Sequence, residues 1–115
     1  MNARDILLVA RLVEVCPPLL PLLQEHLEGY ESLLPHVFMG DVTRWAVGQY
    51  ESDPANADLG ALLECLEKSF EGPYPEDHEL IAASFLENLP RTRDAGGGIR
   101  DFVGPALRRH LELYG

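Results

Sequence analysis

Apolar residues return at intervals of three and four along almost the whole chain, and nine prolines cut that rhythm into short lengths. A period near 3.6 selects helix over strand, and proline is tolerated in a first helical turn, where its missing N–H is unpaired anyway. Together these features predict about six short helices. Residues 3–15 carry the first, with Ile6, Val9, Ala10 and Val13 on one face and Leu7, Leu8 and Leu12 widening it. Pro17 and Pro18 open the second, striped by Leu19, Leu20, Leu23, Leu27 and Tyr30. Pro35 opens a third that runs to about Tyr50. Asp53 before Pro54 is a cap-and-first-turn pair for a fourth, built on Leu59, Leu62, Leu63, Leu66 and Phe70. A fifth carries Leu80, Ile81, Phe85 and Leu89 and closes at Pro90. A sixth carries Ile99, Phe102, Val103, Leu107 and Leu111, with a bend at Gly104 and Pro105. The expected fold is all-α: residues 1–115 form a single compact domain of about six short helices stacked as helical hairpins.

A chain of 115 residues with 46% hydrophobic content buries roughly two thirds of its unfolded surface, so it needs no metal or disulfide staple. Cys16 and Cys65 lie far apart among leucines and read as small buried hydrophobes in a reducing compartment. Arg11 and Glu14 interrupt what would otherwise be the apolar core of a signal peptide. No apolar run approaches the roughly 20 residues that span a bilayer, and a net charge of −10 is repelled by anionic headgroups. These features place the expected protein in the cytoplasm, off the membrane.

Catalytic helices declare themselves by proton carriers or ligands one turn apart. His26, His36, His78 and His110 have no carboxylate or second histidine at three or four residues in either direction. The HExxH and Glu-x-x-His arrangements that bind metals on helices are therefore absent, and no catalytic residue, metal or cofactor is expected. AGGGIRD, residues 95–101, lacks the lysine and hydroxyl of a phosphate loop. It reads as a flexible connector, the competing reading being an anion pocket with Arg91, Arg93 and Arg100 nearby.

Charge is the positive clue. Residues 51–79 hold nine acids against the single base Lys68, a net −8. Glu64, Glu67 and Glu71 recur at three and four, as a ridge opposite the leucines of the fourth helix, with Glu76 and Asp77 following. The plain reading is a solvated face that keeps the protein soluble. The sharper one is a docking surface for a basic partner, since a field of this sign speeds such encounters and repels nucleic acid.

LLPHVFMGDVTRW, residues 33–45, interleaves two faces. Asp41 and Arg44 stand one turn apart, while Phe38, Val42 and Trp45 turn inward. Gly40 and Gly48, eight apart, would let another helix approach over missing side chains. Asp41 and Arg44 read either as a local ion pair, with His36 an ordinary first-turn residue, or as part of a binding surface. Ser84, Glu87, Asn88 and then Arg91 form a second polar stripe, with Asn88 reading equally as the closing residue of the helix end, and if the two helices are neighbours the stripes would line a shared groove.

LLPHVFMGDVTRW together with SFLENLP resembles an uncharacterised family of small acidic helical bacterial proteins, some associated with toxin-immunity gene pairs. The resemblance implies binding and neutralisation rather than catalysis. It points to His36, Asp41, Arg44, Trp45, Ser84, Glu87 and Asn88 as partner-binding positions. The leading expectation is a non-enzymatic immunity or inhibitor protein that occludes a basic, nuclease-like or nucleic-acid-modifying toxin, with Tyr50, Tyr74 or Trp45 as aromatic anchors. The alternative is a constitutive adaptor or scaffold subunit, and a minor alternative is a small ligand-binding protein or enzyme using His36, Asp41 and Arg44. A homodimer is compatible with the wide apolar face of the first helix.

Overall fold

A computed structural model describes residues 3–115. Its helices are α1 (Ala3–Val15), α2 (Leu19–Tyr30), α3 (Pro35–Ser52), α4 (Ala57–Glu71), α5 (Pro75–Ile81), α6 (Ile99–Phe102) and α7 (Pro105–Tyr114), and α5 runs on into a π-helical turn, Ala82–Leu86. The described residues hold no strand. Pro35, Pro75 and Pro105 each start a helix, as a residue with a fixed φ and no N–H is suited to do.

Helix α1 lies against α4 and α5, α2 against α3, α3 against the π turn, and α4 against α7. Their inward faces meet in one core, in which Leu12, Phe38, Val42, Leu62, Phe85 and Ile99 are fully buried. The radius of gyration is 13.2 Å, close to the roughly 13 Å of a compact chain of this length. Burying a leucine or phenylalanine completely contributes about 1.5–3 kcal/mol, so the core needs no covalent staple. Cys16 and Cys65 are free and buried, as their leucine neighbours predict.

Five details depart from the expected helices. Ile6 and Leu7 are 46% and 52% exposed while Leu8, Val9 and Leu12 are buried, so the inward face of α1 is rotated from the predicted one. Leu20, Leu27 and Tyr30 of the second stripe are likewise exposed. Asn56, not Asp53, caps α4, its Oδ1 accepting the Leu59 N–H at 3.0 Å. The predicted sixth helix is two helices rather than one bent one, because Val103 and Gly104 take extended ψ angles of 164° and 170°. The glycine run is no loose connector either: Gly97 is buried, and a Cβ there would overlap the Arg91 carbonyl.

Candidate functional site

Helix α3 meets the π turn through a polar seam. Thr43 Oγ1 donates to the Met39 carbonyl at 2.9 Å and to the Ser84 carbonyl at 3.3 Å. The same Ser84 carbonyl takes a bond from Asn88 Nδ2 at 2.8 Å, and Ser84 Oγ is hydrogen-bonded to His36 Nδ1. A π turn widens the hydrogen-bond register from i+4 to i+5, which leaves carbonyls free for such side chains. The two predicted stripes are therefore neighbours, but they close on each other. Thr43 and Ser84 are 2% and 4% exposed, so the seam is a buried joint and not an open groove. His36 remains exposed beyond its contact with Ser84, and Glu87 is exposed. Burial raises the Asp5 carboxyl above its ordinary range, and the nearby His36 opposes that rise.

The open feature lies on the other side of α3. A cleft of about 810 Å³ separates it from α2. Leu22, Glu25, His26, Gly29 and Tyr30 line one wall, the i, i+3, i+4, i+7, i+8 positions of a single α2 face. Asp41, Arg44 and Trp45 line the other. Arg44 Nη2 and Asp41 Oδ1 form an ion pair, with side chains 72% and 32% exposed, so the sequence reading of a local pair holds within the cleft rim. Gly40 and Gly48 do not admit a helix: a Cβ at Gly40 would meet only the Arg44 guanidinium, at 3.7 Å and beyond, and one at Gly48 nothing within 4 Å.

His26 organises the α2 wall. It is 3% exposed, its Nε2 accepts the Leu34 N–H at 3.0 Å, and its ring stands 4.8 Å from Tyr30 and 5.7 Å from Phe38. Acceptance at Nε2 puts the proton of the neutral ring on Nδ1, which has no hydrogen-bond partner among the described residues. Leu34 is the residue from which α3 departs, so the histidine ties the end of α2 to the start of α3.

The acidic ridge is divided by the structure. Glu64 is exposed and pairs with Lys68 at 2.7 Å, a contact that lowers the carboxyl pKa and raises that of the amine. Glu71 is exposed and Glu76 half-buried. Glu67 instead turns to α7, where Oε2 accepts the Ala106 N–H at 2.7 Å and Oε1 the Leu107 N–H at 3.1 Å. Asp77 is 2% exposed and joined to Arg4 at 2.7 Å. Both carboxylates are thus committed within the fold. Of the aromatic positions, Tyr74 carries the Arg4 guanidinium 3.5 Å above its ring, Tyr50 packs on Phe102 at 5.3 Å, and Trp45 is half-buried in the cleft wall.

Glu25, His26 and Tyr30 were outside the sequence reading of this site. Their only sequence signal is their common helical face, which looks like any other stripe until α3 is placed opposite. No curated protein and no solved structure matches the chain. The family described as "Domain of unknown function (DUF7674)" matches residues 9–114, and the chain belongs to it.

Proposed function

We propose that this chain is a non-enzymatic protein-binding domain of the immunity or inhibitor type, which neutralises a basic toxin by covering it. The observation that carries the reading is a surplus of carboxylates with no internal use. The chain has 19 acids and nine Lys or Arg residues. Three ion pairs, Arg4–Asp77, Arg44–Asp41 and Lys68–Glu64, form among the described residues. Glu25, Glu28 and Glu31 along α2, and Glu71 and Glu79 around α5, are exposed and stand outside these three pairs. A net charge of −10 costs folding energy through self-repulsion, and a cationic surface laid over these acids would relieve that cost and be steered toward them.

The test is genetic and then kinetic. Each reading frame flanking the gene is expressed alone and with this chain. The expected result is one frame that arrests growth alone, is tolerated with the chain, and binds it in purified form. The triple variant Glu71→Lys, Glu76→Lys, Glu79→Lys should then slow association at low salt and flatten its salt dependence. An unchanged association rate would remove electrostatic steering from the mechanism.

A constitutive subunit is the second reading, supported by apolar side chains left open on the first two helices: Ile6, Leu7, Leu20 and Leu27 are 40–52% exposed. Under that reading no flanking frame is toxic, and the partner elutes with the chain in fixed stoichiometry.

A further inference from the structure

The α2–α3 cleft combines three properties. It is the right size for a side chain with its flanking backbone, at about 810 Å³. It sets two carboxylates, Glu25 and Asp41, on opposite walls. It also holds two aromatic residues, Tyr30, which is 53% exposed, and the half-buried Trp45. Among the described residues the one cation–π contact is Arg4 over Tyr74, so neither Tyr30 nor Trp45 has a cation on its face.

From this geometry we propose that the cleft receives an arginine side chain of the basic protein partner. The proposal rests on the protein-binding reading above and names the group that the binding surface recognises. A guanidinium is planar, stacks on aromatic faces and offers paired N–H donors to a carboxylate. A lysine ammonium would satisfy the charge without the stacking. Arg44 does not fill the role itself: its guanidinium lies back along α3 beside Gly40 and is held by Asp41. Because that pair is a solvent-exposed i,i+3 contact, an incoming guanidinium can share Asp41 at little cost. The acidic run Glu25, Glu28 and Glu31 biases the cleft toward a cation, against the single arginine of its lining, Arg44.

Trp45 is the single tryptophan of the chain and lines the cleft, so its emission responds to a ligand bound there. The purified chain is titrated with N-acetyl-arginine amide, with the neutral citrulline analogue and with choline. The expected result is a saturable change in Trp45 emission with the arginine compound and none with citrulline. Choline should respond more weakly, because its quaternary ammonium has no N–H to donate to the two carboxylates. Glu25→Gln should weaken the arginine response about tenfold, the low end of the loss expected for one charge-assisted hydrogen bond. Gly29→Phe should abolish it, since a Cβ at Gly29 meets nothing within 4 Å and the ring would project into open space without disturbing the helix; unchanged circular dichroism verifies its folding. Equal responses to arginine and citrulline, a stronger response to choline, or a full response in Gly29→Phe would overturn the assignment. The growth assay separates this from the broader reading. Rescue by the native chain but not by Gly29→Phe supports the cleft as the docking point. Equal rescue by both overturns the cleft and leaves protein binding standing, whereas the absence of any flanking frame whose toxicity the native chain relieves tells against the toxin reading instead.

Discussion

Gly104 lies so close to Glu67 that a Cβ added to it would sit 2.6 Å from the Glu67 Cδ. The reason is that Glu67 reaches across from α4 to accept the first free N–H groups of α7 with both oxygens. A carboxylate at a helix N-terminus satisfies orphan donors and opposes the macrodipole. Glu67→Ala should therefore lower the unfolding free energy by about 2 kcal/mol, and Gly104→Ala by a similar amount. Because each change undoes the same contact, the double variant should cost little more than either single one, and urea denaturation of all three gives the cycle. Fully additive losses would mean that Gly104 is constrained by something other than Glu67. Glu64→Ala, one turn away on the exposed side, should change stability by less than about 0.5 kcal/mol.

Stability should fall on mild acidification because of His110. Burial, followed by the neighbouring His78, lowers its pKa below the ordinary 6.5, against an opposing pull from Glu87. The two imidazole centroids are 5.9 Å apart, and both rings pack on Phe70, at 4.0 Å for His78 and 5.4 Å for His110. With the folded pKa depressed, the unfolded chain takes up the proton first as pH drops below about 6.5, which favours unfolding. The loss starts there and levels off once pH passes the folded value. His110→Gln should flatten denaturation midpoints measured between pH 7.5 and 5.5. An equally steep profile in that variant would move the effect to another group.

Helix placement was legible where chemistry is local. Pro35 marks its helix by a property of one residue, and the leucine spacing of α4 has one solution. The inward face of α1 was not legible, because Ile6, Leu7, Leu8, Val9 and Ala10 form an almost continuous apolar band and only the positions of α4 and α5 decide which of them is covered. The break at Gly104–Pro105 follows from the same nonlocal cause, since the α7 N-terminus has its acceptor 39 residues away on Glu67. Asp77 was read among the surface acids because the sequence gives no sign that Arg4, 73 residues distant, lies beside it. Asp41, Arg44 and Trp45 were legible as a helical stripe. Their opposite wall was not, for it depends on the reversal between α2 and α3.

Cys16 should resist thiol reagents in the native protein. Burial pushes its pKa up to about 12, and the side chain is fully covered. Only the thiolate reacts, so labelling by an aromatic disulfide at pH 8 should follow global unfolding and accelerate in step with urea. Burial raises the Cys65 pKa as well, though its 8% exposure leaves it the first of the two to react. Rapid modification of Cys16 in the absence of denaturant would show that α1 opens locally.

The α2–α3 reversal supplies the last prediction, because it sets stability against cleft geometry. Glu31 ends α2 with φ 63°, a left-handed conformation that suits glycine, and its N–H bonds to the Leu27 carbonyl at 2.9 Å. Glu31→Gly should raise stability by about 1 kcal/mol by removing the Cβ penalty. His26→Ala acts on the other side of the same turn. It strands the Leu34 N–H and opens a hole beside Phe38, at a cost of about 2–4 kcal/mol. The two variants should part again when Trp45 emission is read. Glu31 is not a wall residue, so its replacement should leave the spectrum unchanged, whereas loss of His26 lets the turn relax and should shift it. If Glu31→Gly moves Trp45 emission as far as His26→Ala does, the strained turn and the histidine hold the cleft open as one unit.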